Sequence, residues 1–230
     1  DALPILFEGI WVQPAAGDAG GAVGAAYAAY HGFLGQQRKL NGHLDGMAGS
    51  YLGPEFKDDE IAERLVAAGA KLTRLDRAQM IDQTAQALAD SKAVGWMQGR
   101  MEFGPRSLGA RSILGDPRSP SMQSVMNLKI KQRESFRPFA PAVLAEKVSE
   151  WFDHDRSSPY MLIVADVLEK HRRQLTEADD ALWGIDKLNV PRSTIPAVTH
   201  VDYSARLQTV HADTNPNFHR LISEFDRLTG

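Results

Sequence analysis

Cysteine is absent from the sequence. That excludes disulfides, thiolate nucleophiles and zinc sites built on sulfur. It fits a reducing compartment, so the expected location is cytoplasmic. No apolar run approaches the roughly 20 residues needed to span a bilayer, so no membrane association is expected. An excess of positive charge is also missing. The net charge is −3, which argues against a general nucleic-acid binder but leaves room for a local basic pocket. There is no internal repeat and no low-complexity tract. The chain opens Asp1-Ala2-Leu3-Pro4, with neither an initiator Met nor a signal peptide. The expectation is therefore a piece excised from a longer protein.

What remains is an ordinary globular composition. Hydrophobic residues make up 43% of 230 residues and charged ones 24%. That is enough for one large domain, or for one domain plus part of another. Residues 5–12 (ILFEGIWV) read as a buried strand. A Gly/Asp loop follows, and then an Ala/Gly-rich helix over residues 21–36 whose small side chains suit close packing. Strand, loop and helix in that order make one unit of an α/β fold. Residues 37–54, rich in Gly, Asn, Asp and Ser, read as a linker. Asp58 opens an amphipathic helix that stops near Gly69. Asp76 caps another, with Met80, Ile81, Thr84, Ala85 and Leu88 on one face. Strands are predicted at 72–75, 93–97, 112–114, 142–144, 161–167, 195–199 and 206–210, and helices at 121–130, 145–152 and 217–228. The charged stretch 171–193 reads as a surface excursion. The class is α/β with mixed strand order.

Four segments carry chemistry. Residues 99–112 (GRMEFGPRSLGARS) pack three glycines, three arginines, a proline and a glutamate behind a predicted strand. Glycine permits close backbone approach and positive φ, and arginine supplies planar forks for phosphate or carboxylate oxygens. From chemistry alone the segment fits a solvated surface turn as well as an anion cradle. Residues 127–141 (NLKIKQRESFRPFAP) place four cations among two prolines and two phenylalanines. Lys129 and Lys131 suit a helix C-terminus. Arg137 sits inside a proline-stiffened apolar run, where it would be held in place. Residues 195–210 read as two strands joined by a polar turn at 202–204, flanked by His200 and Arg206. A lone His is more often structural, so Arg206 is the stronger candidate. Gly17-Asp18 sits at a strand-to-helix junction, where capping is the default role and ribose or metal binding the alternatives.

Taken together, these segments resemble the NodU/CmcH/TobZ family of O-carbamoyltransferases. The resemblance runs through PAAGDAGGAVGAAY, YLGPEF, GRMEFGPRSLGARSILGDPR, MNLKIKQRESFRPFAPAVL, SPYM and IPAVTHVDYSARLQTV. It implies that residues 1–46 are the tail of an actin-like ATPase (ASKHA) domain. It implies that residues 48–230 are most of a YrdC-like domain, a mixed twisted sheet with flanking helices. It implies formation of carbamoyl-adenylate from carbamoyl phosphate and ATP with Mg2+, then transfer of the carbamoyl group to a hydroxyl of a small-molecule acceptor. A homodimer is the implied assembly. By resemblance, Arg106, Lys131 and Arg137 are catalytic, and Arg206, His200, Arg111 and Gly17 contact substrate or nucleotide. Asp18 would ligate iron or another divalent metal with two histidines of an upstream His-x-x-x-His, which this sequence lacks. Two further departures stand out. The family continues past this C-terminus with an Asn-Thr-Ser-Phe-Asn segment, and Asp202-Tyr203-Ser204 replaces the usual Asp-Gly-Thr. The alternatives are a threonylcarbamoyl-adenylate synthase on the YrdC-like fold and a nucleotide- or phosphate-binding module without catalysis.

Overall fold

The computed structural model describes residues 11–39 and 45–230. The predicted strand over 5–12 falls largely outside them, and its last two residues, Trp11 and Val12, are not in a strand. Helix α1 (Asp18–Tyr27) continues into a π-helical turn, Ala28–Phe33. It starts earlier than the Ala/Gly run suggests, and its expected close packing is not seen. None of its residues is buried, and Tyr27, Tyr30 and Phe33 face outward.

The predicted linker is only partly one. Residues 40–44 lie outside the description, but Met47, Gly49 and Ser50 are buried. Met47 packs with Leu108 and Tyr160. A Gly/Ser-rich composition was compatible with a free linker, and the tertiary contacts decided otherwise.

Helix α2 spans Asp58–Ala67, with three acidic residues in its first turn that complement the dipole. Residues 72–75 then run on without forming the expected strand, and Leu72 is exposed. Helix α3 (Arg77–Ala89) begins at a capping box: Asp76 Oδ1 accepts from the Gln79 N–H at 2.9 Å, and Gln79 Oε1 accepts from the Asp76 N–H at 3.3 Å. Its buried face is Ile81, Ala85 and Leu88, one stripe at helical spacing.

Strands β1 (Val94–Met97) and β2 (Arg111–Leu114) pair antiparallel, Val94 opposite Leu114 and Met97 opposite Arg111. Helix α4 (Met122–Val125) runs into a π-helical turn, Met126–Ile130. Strand β3 (Ala142–Leu144) leads into helix α5 (Val148–Trp151). Strand β4 is Ile163–Asp166, shorter than predicted because Met161 already has φ +55°. Two short helices, α6 (Glu177–Ala181) and α7 (Gly184–Leu188), occupy the charged excursion. Its ends are tied together by Arg173 N–H to Arg192 O at 2.7 Å and Thr194 N–H to His171 O at 2.9 Å.

The predicted strand over 195–199 is instead a 3-10 turn, Pro196–Val198. Proline at its first position has no N–H to give a ladder. Strand β5 (Ser204–Val210) is the centre of the second sheet, parallel to β3 on one side and antiparallel to β4 on the other. Helix α8 (Pro216–Thr229) closes the described fold.

The architecture is thus mixed α/β, with two small sheets and flanking helices. One core cluster joins Val148, Phe152, Val167, Val198, Ala205 and Leu207. A second joins α3, β1 and α8 through Ile81, Ala85, Trp96, Phe218 and Leu221. No helix among the described residues is long and apolar enough to cross a membrane.

Candidate functional site

The turn between β1 and β2 is anchored from every side at its base. The Glu102 side chain is buried, and its Oε1 accepts the N–H groups of Leu108 (2.7 Å), Ala110 (2.9 Å) and Arg111 (3.2 Å). The Leu108 carbonyl accepts from the Tyr51 hydroxyl (2.6 Å) and Gln208 Nε2 (2.9 Å). The Gly109 carbonyl accepts from Trp96 Nε1 (3.0 Å) and Gln98 Nε2 (2.8 Å). Arg111 turns its guanidinium back onto the carbonyls of Gln98, Gly99 and Ala110, at 2.8, 3.1 and 2.9 Å. The exposed tip, Gly104 to Ser107, presents Arg106. Gly104 has φ +112°, and a Cβ added there would lie 2.6 Å from the Ala15 Cβ. The tip therefore lies against the residues that lead into Gly17, Asp18 and α1.

Arg206, near the start of β5 and opposite Val164, is half-buried. Among the described residues no carboxylate pairs with it or with Arg106. Burial first, and then the nearby Arg106 guanidinium, push its pKa down. His200 belongs to the same neighbourhood. Burial lowers its pKa, Asp202 opposes that, and Arg206 adds to it. Asp202 is held low chiefly by the Ser204 hydroxyl, which donates at 2.7 Å, and by the Ser204 N–H at 3.1 Å. Tyr203 in this turn has φ +65°, a sparsely populated conformation for a bulky side chain. Two guanidiniums that repel each other without a carboxylate partner make a region whose repulsion an anion would relieve.

Lys131 and Arg137 stand on a separate exposed segment. Its backbone is held from α4 and the turn after it. The buried Asn127 Nδ2 donates to the carbonyls of Ser135 (3.0 Å) and Arg137 (2.8 Å), and Gln123 Nε2 donates to those of Phe136 (3.1 Å) and Arg137 (3.2 Å). Arg133 donates from Nε to Asn127 Oδ1 at 2.6 Å and lies over the Phe139 ring, 5.1 Å from its centroid. The Arg137 side chain is exposed and pairs with Glu134 at 3.0 Å. Such a surface pair is weak and easily exchanged for a ligand. Gln132, directly after Lys131, has φ +46°.

The electrostatic coupling therefore gathers Arg106, Arg206, His200 and Asp202. Gly17 is the N-cap of α1, and Asp18 is exposed in its first turn. Among the described residues no group of three or more His, Asp or Glu could hold a metal ion. Asp18 alone does not make a metal site. Two cavities, of about 160 and 420 Å³, border β3 and α8. None of the candidate residues lines either.

Sequence reasoning missed the supports: Glu102, Asn127, Tyr51 and Gln208. A carboxylate inside a Gly/Arg-rich turn was a legible signal for Glu102. Nothing local marked Gln208 or Tyr51, whose partners lie far along the chain.

The molecule is an α/β protein with a preformed cationic turn. Residues 85–230 match the family model described as carbamoyltransferase C-terminus. The chain is 57% identical over 225 residues to an uncharacterized protein of Synechocystis, a match covering 97% of this chain and 36% of that protein. It is 37% identical to the nodulation protein NolNO of Sinorhizobium fredii, covering 98% of this chain and 30% of that one. It is 36% identical to the 3'-hydroxymethylcephem-O-carbamoyltransferase of Amycolatopsis lactamdurans, covering 97% and 36%. The chain belongs to the carbamoyltransferase family that these proteins share, and spans about a third of the length of the curated relatives it matches.

Proposed function

We propose that this chain is the adenylate-forming part of an O-carbamoyltransferase. In this reading residues 48–230 form a YrdC-like domain and residues 1–46 the tail of an ASKHA-type transfer domain. What supports it is the pair of cations Arg106, on the Glu102-anchored turn, and Arg206, on β5, with no carboxylate partner among the described residues. Carbamoyl phosphate and ATP with Mg2+ are anionic substrates, and bringing them together costs repulsion that fixed cations offset.

Water breaks the P–O bond of carbamoyl phosphate, giving phosphate and carbamate. A carbamate oxygen then attacks the α-phosphorus of ATP, carbamoyl-adenylate forms and pyrophosphate leaves. Arg106 and Arg206 hold phosphate oxygens. Lys131 and Arg137 would supply further cations to the same phosphates, with Arg137 exchanging Glu134 for a phosphate. His200, kept neutral beside Arg206, can accept a hydrogen bond from the attacking water.

The whole protein would pass the carbamoyl group to a hydroxyl of a sugar or another natural product. The ASKHA-type domain would host that transfer, with Asp18 joining histidines from elsewhere on iron or another divalent metal. The nodulation protein and the cephem carbamoyltransferase among the relatives support an acceptor of this kind.

The test is carbamoyl-phosphate-dependent exchange of labelled pyrophosphate into ATP by the full-length protein. Arg106→Ala and Lys131→Ala should each lower the exchange rate by about 10²-fold or more with the fold intact. Exchange that needs threonine and bicarbonate instead of carbamoyl phosphate, or that survives in both variants, refutes the reading.

A further inference from the structure

Arg106 poses a placement problem. Its side chain is exposed and has no carboxylate partner among the described residues. A long side chain in that situation swings into solvent unless its backbone leaves it little choice. Its position therefore depends on the conformation of the turn that carries it.

The turn's N–H groups converge on one acceptor. Leu108, Ala110 and Arg111 all donate to Glu102 Oε1, at 2.7, 2.9 and 3.2 Å. Leu108 and Ala110 are themselves buried, so without Glu102 their N–H groups would be left without a partner and without water. Among the described residues no cation pairs with Glu102. Arg111, which donates its N–H to that carboxylate, spends its guanidinium on carbonyls of the same turn. The buried negative charge is thus stabilised by the backbone it organises. Residues 103–107 form the bridge between the carboxylate and the groups it gathers, and Arg106 lies on that bridge.

We infer that Glu102 is the positioning residue of the reaction site: it closes the 102–111 turn so that Arg106 is held at the tip of that turn. The inference rests on the proposed role of Arg106 and assigns Glu102 no contact with substrate. Removing it should leave the cation present but misplaced.

The experiment uses the full-length protein with Glu102→Ala, Glu102→Gln, Arg106→Ala and the double variant E102A/R106A. Carbamoyl-phosphate-dependent pyrophosphate exchange gives the rate, and hydrogen exchange of the peptide spanning residues 103–111 gives the state of the turn. Glu102→Ala should cut kcat by about 10²-fold, as Arg106→Ala does. The double variant should be no worse than Arg106→Ala within about threefold, because both lesions remove one interaction. Protection of the turn should fall by about tenfold or more in Glu102→Ala and stay unchanged in Arg106→Ala. Glu102→Gln keeps an acceptor oxygen and loses the charge. It should show the same pattern at smaller size, and it serves as the decisive variant if Glu102→Ala does not fold.

Losses that multiply in the double variant overturn the inference. So does near wild-type exchange in both Glu102 variants while Arg106→Ala is dead. Full activity of Arg106→Ala strikes at the proposed site instead. In that case unchanged turn protection in the Glu102 variants overturns this inference on its own.

Discussion

A half-buried histidine beside a guanidinium has two reasons to stay unprotonated. At His200 burial is the larger and Arg206 the smaller, with Asp202 working against both. The folded-state pKa is lowered, so the unfolded chain binds more protons as the pH falls through the ordinary histidine range. The stability from neutral His200 is therefore complete above about pH 6.5 and is lost as the pH drops through the depressed folded value. Thermal melts between pH 5 and 8 should show a steeper acid-side decline in the wild type than in His200→Asn. Equal slopes would mean that the ring is not perturbed as described. Tyr51 shows the opposite sign. Burial raises its pKa to about 12, so its hydroxyl remains a donor to Leu108 at any physiological pH. At this scale the sequence exposed the charged residues and hid their keepers. Arg106, Arg206 and Arg137 stood out by chemistry. Gln208, Tyr51 and Asn127 are ordinary polar residues whose burial nothing local announces.

Elements with strong local codes formed where they were read. Asp76 and Gln79 make their capping box, and Ile81, Ala85 and Leu88 turn one face inward, because both signals depend on residues within a turn or two. The stretch 195–199 failed because β-branched residues suggested a strand while Pro196 removed the donor that a strand interior needs. Between β1 and β2, Gly109 was legible only as a turn-former. Its φ of +99° and the Phe218 ring pressed against its α-carbon are tertiary facts. Gly109→Ala should destabilise the protein by about 1–3 kcal/mol through backbone strain and overpacking. Urea denaturation should show it as a lower midpoint, and an unchanged midpoint would argue against the contact.

For the whole molecule, stability is concentrated where the second sheet meets its helices. Leu207 is fully buried on the central strand β5, in the cluster with Val148, Phe152 and Val167. Leu207→Ala should cost about 2–5 kcal/mol, the range for a large-to-small change in a core that collapses incompletely. The check is a denaturant midpoint shift with an unchanged m-value. A loss near zero would mean that β5 is not the load centre of this fold.

The sequence by itself determined the class of the fold, most helix positions and the family resemblance. These depend on side-chain chemistry and on spacings of a few residues, and both are written locally. Only the tertiary structure decided that the stretch 45–53 is partly core, that Arg111 binds its own turn, and that Glu102 gathers the N–H groups of Leu108, Ala110 and Arg111. Those outcomes turn on which groups are dehydrated and which meet across long sequence separations, and no short window of residues contains that information.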